Sequence, residues 1–576
     1  ADISCDINGS IEVLGKTTNI DEPLFVYDPA TGRTKDGIEG PGIVFLAVDN
    51  LPTELPREAS KHFGDMLLPY LPGIVQSSSK GPFDQMISTL PAEVRRAVVT
   101  YDGKLSPGYE YINDLRRENE KKLHRILILG SGLVAPGLVN TLSQESNNII
   151  TIASVDMNEA KKMCTTRNIS AVPLDALKEP ERLRDLIELS DLVISILPQT
   201  FHTPVAEQCI KLKKHMLTAS YISPAMRQLD SAAKEAGVTI LNEIGLDPGI
   251  DHMSAVKTIN EIHEQGGKIL HFKSVCGGLP APEHSDNPLH YKFSWNPRGV
   301  LQACKNPAKF LLNGSVVDIA PDTLMQFSQP EYVHPCFSME VLPNRDSLSY
   351  IDHYNLQESQ TVFRGTLRYT GFSGIVWALQ RLNLLSTDIE SILNPTSPSV
   401  HSWPALLEHL NKFPDSTNVK QHVEDLLFKN SVPSSFDTPQ FRSRILRGLE
   451  WLGLFDETKE FEAQRTPIDT LCGLLKEALA YKKHERDMVL LQHTFEVEWR
   501  DLRRETLRST LISFGDPEGE SAMSKTVGFP LALAAQLILN KTIKTPGVLA
   551  PILPEIYNPV LSQLRDMGIS FVEFTE

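Results

Sequence analysis

The chain has 576 residues, of which 41% are hydrophobic and 22% charged, so it should hold more than one globular domain. Its formal net charge is −16, and no basic stripe offsets that charge, which argues against nucleic acid as a main partner. No apolar run approaches the length that spans a bilayer, and residues 529–539 are instead predicted to form a buried helix, so no membrane partner is expected.

The cysteines give no sign of a disulfide framework or a zinc site. They are dispersed and form no CxxC pair, which is typical of reduced thiols inside cells. The acids near His252 and His284 do not have metal-ligand spacing, so we expect no metal. The seven cysteines are Cys5, Cys164, Cys209, Cys276, Cys304, Cys336 and Cys472.

Residues 1–112 carry no glycine fingerprint of a nucleotide site. A β-rich run lies at 43–48, and Pro56 is well placed to begin a helix that residues 57–68 continue. The charged, polar stretch 113–122 is predicted to be a solvated helix or linker, and we place a domain boundary there.

A buried apolar strand at 124–129 leads into a glycine turn and then a helix. Gly130 allows a tight turn, and Gly132 lets the backbone approach a pyrophosphate closely. Ala135 keeps the third position of the motif small, and the helix N-terminus then faces the phosphates. The turn Gly130-Ser131-Gly132 therefore predicts a dinucleotide site, with an ordinary glycine turn in a βαβ unit as the competing interpretation.

A second strand, predicted over 149–155, ends at Asp156. Such units place the acid that bonds the adenosine ribose about 20 residues past the glycines, which is roughly where Asp156 lies. A carboxylate accepts a hydrogen bond from the 2′-hydroxyl and repels a 2′-phosphate. The sequence therefore predicts NAD rather than NADP as the cofactor.

Strands and helices alternate along 123–246, which predicts a NAD-binding domain with a parallel, doubly wound sheet. The further strand-like runs are 191–197, 215–219 and 238–242, with helical stretches at 203–214 and 225–236. Ligands of such sheets bind beyond the carboxyl ends of the strands. Those ends are Gly130, Asp156, Leu197-Pro198, Ser220-Tyr221 and Gly245-Leu246-Asp247.

The next segment, 247–384, is predicted to be an α+β substrate domain, in which 276–284 and 295–299 are loop-rich and 362–369 is a strand. Leucines at helical spacing predict an inserted helical subdomain over 385–485. The predicted fold class is therefore α/β: a Rossmann-like doubly wound parallel sheet, an α+β substrate domain and an inserted helical subdomain. The remainder, 486–576, is predicted to return as paired strands at 488–499 and 507–514 and closing helices at 530–539 and 554–567.

Seven motifs stand in order along 122–576. They are Gly130-Ser-Gly132, Thr218-Ala-Ser-Tyr-Ile-Ser223, Gly245-Leu-Asp-Pro-Gly-Ile-Asp-His252, Cys276-Gly-Gly-Leu-Pro-Ala-Pro-Glu-His284, Tyr291-Lys-Phe-Ser-Trp295, Pro343-Asn-Arg-Asp-Ser347 and Arg364-Gly-Thr-Leu-Arg-Tyr369. Together they resemble the glutamate-forming saccharopine dehydrogenase family, in particular the dehydrogenase half of the bifunctional aminoadipic semialdehyde synthases of animals. Residues 40–60 resemble the tail of the lysine–ketoglutarate reductase half, so 1–112 are predicted to be a remnant without reductase activity.

The resemblance implies NAD-dependent oxidative cleavage of saccharopine to L-glutamate and 2-aminoadipate 6-semialdehyde in lysine degradation. It implies a mitochondrial location, although the polar residues after Ala1 resemble no transit peptide. The expected partners are saccharopine and further copies of the chain in a homo-oligomer. The residues that the resemblance places beside the substrate are Ser220, Tyr221, Asp247, Thr366 and Leu367, and those on the nicotinamide side are Leu197, Ala219 and Leu246.

Saccharopine carries three carboxylates around a secondary amine, so its pocket needs cations. Arginine forks grip carboxylates bidentately and keep their charge. Arg345 and Arg368, each within one of the motifs, are the predicted clamp. The competing interpretation of either residue is a surface or structural ion pair.

The reaction needs positioned proton transfer, because the amine loses a proton before the hydride leaves and water then attacks the imine. Asp247 is the first candidate for an acid/base or amine-orienting role, with a turn aspartate before Pro248 as the competing interpretation. Tyr221 is the second candidate, for orienting the substrate or donating a proton, although it could simply pack. His252 and His284 are weaker candidates, each expected to be a loop histidine with a backbone partner.

Two other functions compete with this one. Homospermidine and carboxynorspermidine synthases also make or break secondary amines, but their polyamine substrates need acidic pockets, which Arg345 and Arg368 oppose. A non-catalytic NAD-binding scaffold is the alternative of a different class, and the intact glycine turn, Asp156 and both arginines argue against it.

Overall fold

The computed structural model describes residues 5–7, 11, 13–29, 31–32, 34–49, 51–77, 83–113, 123–396, 399–414, 418–429 and 432–576. The chain divides into two compact units, Ala1–Lys121 and Lys122–Glu576. Apart from residue 113, the predicted linker 113–122 lies outside the described residues. The predicted domain boundaries stay a prediction.

The first unit contains a small antiparallel sheet, in the spatial order Thr34–Asp36, Leu24–Tyr27 and Ile43–Leu46, and a hairpin of Thr100–Tyr101 and Lys104–Leu105. Phe25 and Phe45 stack at 5.3 Å in its core. Its helices are Pro56–Leu67, Leu71–Gln76, Phe83–Met86 and Ala92–Ala97. The strand predicted near 43–48 and the helix that begins at Pro56 are confirmed.

The second unit begins with a seven-stranded sheet whose strands are all parallel. In spatial order they are Gly547–Leu549, Thr239–Leu241, His215–Leu217, Leu192–Ser195, His124–Leu129, Asn148–Ser154 and Ile169–Pro173. Nearly every side chain of the central strands is buried, because helices cover both faces of a sheet of this kind. This sheet confirms the predicted Rossmann-like fold. The edge strands Ile169–Pro173 and Gly547–Leu549 were absent from the sequence-based prediction.

The helices that connect or flank this sheet follow the predicted alternation. They are Ala135–Ser143, Met157–Lys162, Pro180–Glu188, His202–Lys211, Pro224–Arg227, Asp230–Ala236, Ile250–Glu264 and Pro554–Asp566. The helix predicted over 225–236 is broken in two at Gln228–Leu229.

A second, mixed sheet of nine strands forms the core of the carboxyl-terminal half. Its strands are Ser315–Ile319, Ala308–Leu312, Thr361–Tyr369, Lys268–Pro280, Asp487–Glu498, Arg504–Phe514 and Val572–Thr575 in spatial order, with Gln329–Glu331 and Met339–Pro343 attached to Thr361–Tyr369. The short helices Pro297–Ala303 and Ser349–His353 lie between its strands in the chain. The predicted paired return strands are confirmed.

The prediction of a loop from residue 276 is wrong, because 276–280 continue the strand Lys268–Pro280. Gly277 and Gly278 indicated a loop in the sequence, but they lie where neighbours approach closely. A Cβ atom at Gly277 would come within 2.8 Å of the carbonyl oxygen of Leu367, and one at Gly278 within 2.2 Å of Met523. Close approach inside a strand is a common reason for glycine.

The predicted helical subdomain is present, and its leucines form a core of their own. Its helices, with the preceding Phe372–Arg381, are Trp403–Asn411, Val419–Phe428, Pro439–Trp451 and Pro467–Ala478. Leu406, Leu449 and Leu471 are fully buried in this core, as their helical spacing predicts.

The helix expected at 530–539 begins earlier and spans Ala522–Leu539. Its small residues pack against the helix Ala135–Ser143, since a Cβ atom at Gly528 would lie 2.4 Å from the amide nitrogen of Leu138. Among the described residues it is the one helix that could cross a membrane by length and composition, so the statement that no run approaches this length is wrong. As a core helix, 72% of it is buried inside the protein.

Candidate functional site

The glycine turn lies between two strand ends of the parallel sheet. Gly130 has a φ of 105°, and a Cβ atom there would press on Ile196 at 3.2 Å, so both its conformation and its space favour glycine. A Cβ atom at Gly132 would have no neighbour within 4 Å, so the backbone of Gly132 is open to a ligand. The hydroxyl of Ser131 lies 2.7 Å from that of Ser154 and ties the turn to the next strand.

Asp156 lies at the end of that next strand and begins the helix Met157–Lys162. Its Oδ1 accepts hydrogen bonds from the backbone amides of Asn158 and Glu159, each at 3.1 Å. The carboxylate is exposed at the carboxyl edge of the sheet. This helix cap and the predicted ribose contact can use the same side chain, because a carboxylate has two oxygens.

The adjacent strand ends hold a buried histidine beside the predicted substrate residue Ser220. The Nε2 of His202 lies 2.8 Å from the Ser220 hydroxyl and 3.1 Å from that of Thr218, and its Nδ1 lies 3.0 Å from the Ser195 hydroxyl. Burial lowers the pKa of His202 to about 4. A neutral imidazole therefore fixes the orientation of the Ser220 hydroxyl.

The predicted nicotinamide-side residues occupy neighbouring strand ends of the same edge. Leu246 is buried, while Leu197 and Ala219 are half-buried. A Cβ atom at Gly245 would lie 2.9 Å from that of Ala219, so glycine lets two strand ends meet there.

Five side chains, one of them a buried arginine, form a hydrogen-bonded cluster that we call the Arg364 cluster. They are Tyr221, Asp247, Asp251, Tyr350 and Arg364. The guanidinium of Arg364 donates to Asp247, to Asp251 at 2.6 Å and to the Tyr350 hydroxyl at 3.0 Å. The Tyr221 hydroxyl donates to Asp247 at 2.7 Å, so the two predicted catalytic residues lie together.

The electrostatics of this cluster follow from its burial. Burial raises the pKa of Asp247, and the neighbouring charge of Arg364 opposes that rise. Burial also raises the pKa of the Tyr221 hydroxyl well above its usual value, so Tyr221 stays protonated. A carboxylate with a raised pKa, next to a protonated hydroxyl, is suited to accepting and returning a proton.

A buried acid–base pair lies beside the cluster. His252 is on the helix Ile250–Glu264 and fully buried, and its Nε2 lies 3.0 Å from a carboxylate oxygen of Glu243 while its Nδ1 hydrogen-bonds the Tyr354 hydroxyl. The expectation of a loop histidine with a backbone partner is therefore wrong for His252. For His284, which ends the short 3₁₀ helix Pro282–His284, the backbone partner is confirmed, because its Nδ1 accepts from the backbone amide of Arg486.

A cavity of about 640 Å³ opens against this cluster. Its polar lining includes Tyr221, Glu243, His252, Arg345 and Tyr350. Its apolar wall comes from the edge strand Gly547–Leu549 and the segment that follows it, and includes Val548, Leu549, Ile552 and Leu553.

The two predicted clamp arginines lie in different environments. Arg345 lines the cavity, with its guanidinium 4.9 Å above the Tyr221 ring. Arg368 is buried outside that lining, between the rings of Tyr291 at 4.9 Å and Phe372 at 5.2 Å. Its only hydrogen bond among the described residues goes to the Leu367 carbonyl, and it forms no ion pair with any of them. We call Arg368 with these neighbours the Arg368 site.

Thr366 and Leu367 lie on opposite faces of the strand Thr361–Tyr369 because side chains alternate along a strand. Thr366 is half-buried, and it lies on the face that carries Arg364 and Arg368. The side chain of Leu367 is buried in the core with Val275 and Leu279, so only its backbone is placed for a ligand.

Arg364, Asp251 and Glu243 were absent from the predicted site. Arg364 stands in a motif that the sequence analysis used, and alternation along the strand puts it on the same face as Arg368. Asp251 follows Asp247 in another motif. These signals were present, but nothing local to the sequence pairs the two acids with Arg364. No group of three or more His, Cys, Asp or Glu side chains in the described part of the chain could hold a metal.

Two family models match the second unit. The model described as "Saccharopine dehydrogenase NADP binding domain" matches residues 126–241, and "Saccharopine dehydrogenase C-terminal domain" matches residues 245–569. The junction between them falls at Asn242–Ile244, where the parallel sheet passes to the Asp247 turn.

Curated relatives of two kinds are similar to the chain. The mitochondrial alpha-aminoadipic semialdehyde synthase of Mus musculus is 37% identical over 99% of this chain, which spans 61% of that protein's length. The saccharopine dehydrogenase [NADP(+), L-glutamate-forming] of Saccharomyces cerevisiae is 42% identical over 78% of this chain and 99% of that protein.

A solved structure has the same architecture. The apo histidine-tagged saccharopine dehydrogenase (L-Glu forming) from Saccharomyces cerevisiae matches with a TM-score of 0.69 and 40% sequence identity. The match covers 79% of this chain and 100% of the yeast chain.

Proposed function

Since this chain belongs to the saccharopine dehydrogenase family, we propose that it oxidises saccharopine with NAD and water to L-glutamate and 2-aminoadipate 6-semialdehyde. The observation that carries the substrate assignment is Arg368, a buried cation with no anionic partner among the described residues. A buried charge is costly unless an opposite charge meets it, and a substrate carboxylate would supply that charge. A polyamine would instead bring a second cation to this position.

The strand end around the glycine turn fits a dinucleotide. Gly130, Ser131 and Gly132 would hold the pyrophosphate, with the open space beside Gly132 available to it and the N-terminus of the helix Ala135–Ser143 facing it. Leu197, Ala219 and Leu246 would line the nicotinamide. A bound nicotinamide would supply the acceptor for the hydride that leaves the carbon next to the secondary amine of saccharopine.

The proposal of NAD rather than NADP rests on Asp156. Its exposed carboxylate would accept from a ribose 2′-hydroxyl and repel a 2′-phosphate. The yeast relative is named for NADP(+), so the cofactor is the part of the proposal most in need of a direct test.

Asp247 and Tyr221 are the proposed proton-transfer pair. Asp247 takes the proton of the secondary amine, and the Tyr221 hydroxyl, which donates to Asp247 Oδ1, orients the acceptor. The same carboxyl can later return the proton to the departing amine of glutamate. Ser220, held by His202, contributes a hydroxyl of fixed orientation to the substrate, and Thr366 and Leu367 contribute backbone groups.

The test of the proposed activity is NADH formation when saccharopine is added to the purified chain. We expect absorbance to rise with saccharopine and NAD and to stay flat with lysine or glutamate alone as the control substrate. Binding of NAD without any NADH formation would contradict the enzyme and favour a non-catalytic scaffold.

The test of the cofactor compares kcat/KM for NAD and NADP in the wild type and in Asp156→Ala. Removing the carboxylate should shift the ratio toward NADP by about tenfold, the size of a lost charged hydrogen bond of roughly 1.5 kcal/mol. Asp156→Asn is the matched variant, because it keeps a helix-cap oxygen and removes the charge. If the ratio does not move in either variant, the role of Asp156 is wrong.

We also propose a mitochondrial location and a homo-oligomeric state for the chain. The animal relatives are named mitochondrial, which supports that location for this chain. The homo-oligomer stays a prediction, and light scattering of the purified chain tests it.

A further inference from the structure

The helix Ala135–Ser143, which follows the glycine turn, has no side-chain cap of its own. Its N-cap residue is Val134, whose side chain cannot accept a hydrogen bond. The backbone of Val134 has a φ of −93° and a ψ of −9°, which differ from the extended values of a residue whose side chain caps a helix. The first amides of this helix therefore need acceptors from elsewhere.

One such acceptor comes from a distant part of the chain. The hydroxyl of Ser524, which is 1% exposed, accepts a hydrogen bond from the amide of Gly137 at 2.8 Å and donates to the carbonyl of Val134 at 3.4 Å. Gly137 is the third residue of the helix, a position whose amide a capping side chain ordinarily binds. Ser524 lies 387 residues further along the chain, and it caps the helix in place of a local residue.

The glycine at position 137 permits this contact. A Cβ atom there would lie 2.5 Å from the carbonyl oxygen of Ser524 and 3.1 Å from its hydroxyl oxygen. The dinucleotide motif accounts for the three small residues before this position, but not for Gly137. The close approach of Ser524 gives Gly137 a reason of its own.

Ser524 is itself held in place. The carboxylate of Asp487, on a strand of the mixed sheet, accepts hydrogen bonds from the amides of Ala522 and Met523 at 2.6 and 2.9 Å. The Ser521 hydroxyl accepts from the amide of Ser524 at 3.0 Å. The capping hydroxyl therefore belongs to a helix start that is fixed independently of the glycine turn.

The cap leaves the amides of the turn available to a ligand. The four consecutive amides of residues 131–134 donate to no group in the described part of the chain. The first three helix positions offer no free amide, because that of Ala135 is bonded within the turn at 2.9 Å, Pro136 has no N–H group and that of Gly137 is capped. A run of free backbone amides is suited to an anion such as a pyrophosphate.

We propose that Ser524 is a positioning residue for the dinucleotide and acts through the helix Ala135–Ser143. By capping this helix, its hydroxyl holds the amides of residues 131–134 in the arrangement that a pyrophosphate needs. A capping serine or aspartate within the turn would place its own oxygen among those amides, whereas a cap from a distant residue leaves them free. The inference rests on the dinucleotide site of the proposed function and adds a residue of the helix Ala522–Leu539 to it.

The test is the affinity of the purified chain for ADP-ribose, which contains the pyrophosphate, and for adenosine, which does not. Competition with NADH, followed by NADH fluorescence, measures both. In Ser524→Ala we expect the Kd for NADH and for ADP-ribose to rise about fivefold, since a lost helix cap costs roughly 1 kcal/mol. The Kd for adenosine should stay within about twofold of the wild-type value. The KM for NAD should rise with the Kd, while kcat and the KM for saccharopine stay unchanged.

Thr526→Val is the matched control on the same helix. The Thr526 hydroxyl is fully buried and donates to the carbonyl of Ala522 at 2.8 Å, so valine removes a buried hydroxyl without touching the cap. All affinities should equal those of the wild type. An unchanged Kd for ADP-ribose in Ser524→Ala, or an equal loss of affinity for adenosine, would overturn the proposal, because a merely structural serine would affect every ligand or none.

A second measurement needs no variant. Hydrogen exchange of the wild type, resolved to single residues by mass spectrometry, should show a slowly exchanging Gly137 amide without ligand, and ADP-ribose should then slow exchange at 131–134. Fast exchange of the Gly137 amide in the free protein would contradict the cap. A wild type that binds NADH but does not oxidise saccharopine would overturn the proposed reaction alone. A wild type that binds neither NADH nor ADP-ribose would overturn the dinucleotide site and this inference together.

Discussion

Two buried arginines on one face of the strand Thr361–Tyr369 differ in the groups that their side chains contact. Arg364 and Arg368 are 2% and 6% exposed, and they stand four positions apart. Arg364 meets Asp247 and Asp251, whereas Arg368 meets two aromatic rings and one carbonyl. The first charge is neutralised by the protein itself. The second has no anionic partner among the described residues.

This difference has an energetic consequence. Removing one member of a buried ion pair leaves an uncompensated charge behind, which is strongly destabilising. Removing a buried cation that has no protein partner leaves nothing uncompensated and takes away an unfavourable charge. The two arginines should therefore respond in opposite ways to the same substitution, one in stability and the other in activity.

The largest expected effect is that of Arg364→Met on stability. The variant leaves two buried carboxylates without their cation, so we expect a loss of about 3–5 kcal/mol in the free energy of unfolding. Urea unfolding followed by circular dichroism measures it. The triple variant Asp247→Asn, Asp251→Asn, Arg364→Met removes all three charges and should recover most of the loss. A single variant within about 1 kcal/mol of the wild type would contradict the comparison.

The next largest effect is that of Arg368→Met on catalysis. We expect kcat/KM for saccharopine to fall about 100-fold, equivalent to roughly 2.7 kcal/mol, while stability stays equal to that of the wild type or rises. Steady-state kinetics and urea unfolding on one preparation give both numbers. Arg368→Lys keeps the charge without the planar fork, so it should recover only part of the activity.

The opposite pattern for Arg368→Met, with lost stability and unchanged kinetics, would mean that Arg368 supports the fold. The Arg368 site would then not be a substrate contact, and the carboxylate clamp would reduce to Arg345.

Sequence patterns predict well the part of the candidate site that residues close together in the sequence form. The turn Gly130-Ser131-Gly132 and the carboxylate of Asp156 belong to one strand–helix–strand unit, so their spacing along the chain already determines their positions. The sheet order that joins them to Leu197 and Ser220 follows from the handedness of such units.

The Arg364 cluster could not be predicted in the same way. Arg364 is more than 100 residues along the chain from both of its carboxylate partners. The alternation of side chains along its strand places Arg364 and Arg368 on the same face and does not distinguish their partners. The strand at Gly277 and Gly278 was interpreted as a loop for a related reason, since the close approach of Leu367 and Met523 comes from distant parts of the chain. The motifs contain most residues of the candidate site, and packing determines which of them pair.

The smallest expected effect is a pH dependence of the free energy of unfolding. It concerns the Arg364 region, because the pair Glu243–His252 lies beside the Arg364 cluster. Burial alone lowers the pKa of His252, but Asp251 and Glu243 outweigh burial and raise it above its ordinary value of 6.5. The stabilisation from His252 is therefore complete below pH 6.5 and is lost as pH rises through the higher folded-state value. The pKa of Glu243 is lowered from 4.5, so its stabilisation is complete above pH 4.5 and is lost as pH falls further.

The wild type should accordingly be most stable, with respect to this pair, between pH 4.5 and 6.5, and should lose about 1 kcal/mol per pH unit on the alkaline side of that range. Urea unfolding at pH 6.5, 7.5 and 8.5 measures the slope, which His252→Asn should remove whatever its effect on absolute stability. Equal slopes in the wild type and in His252→Asn would show that the buried pair does not exchange protons on unfolding.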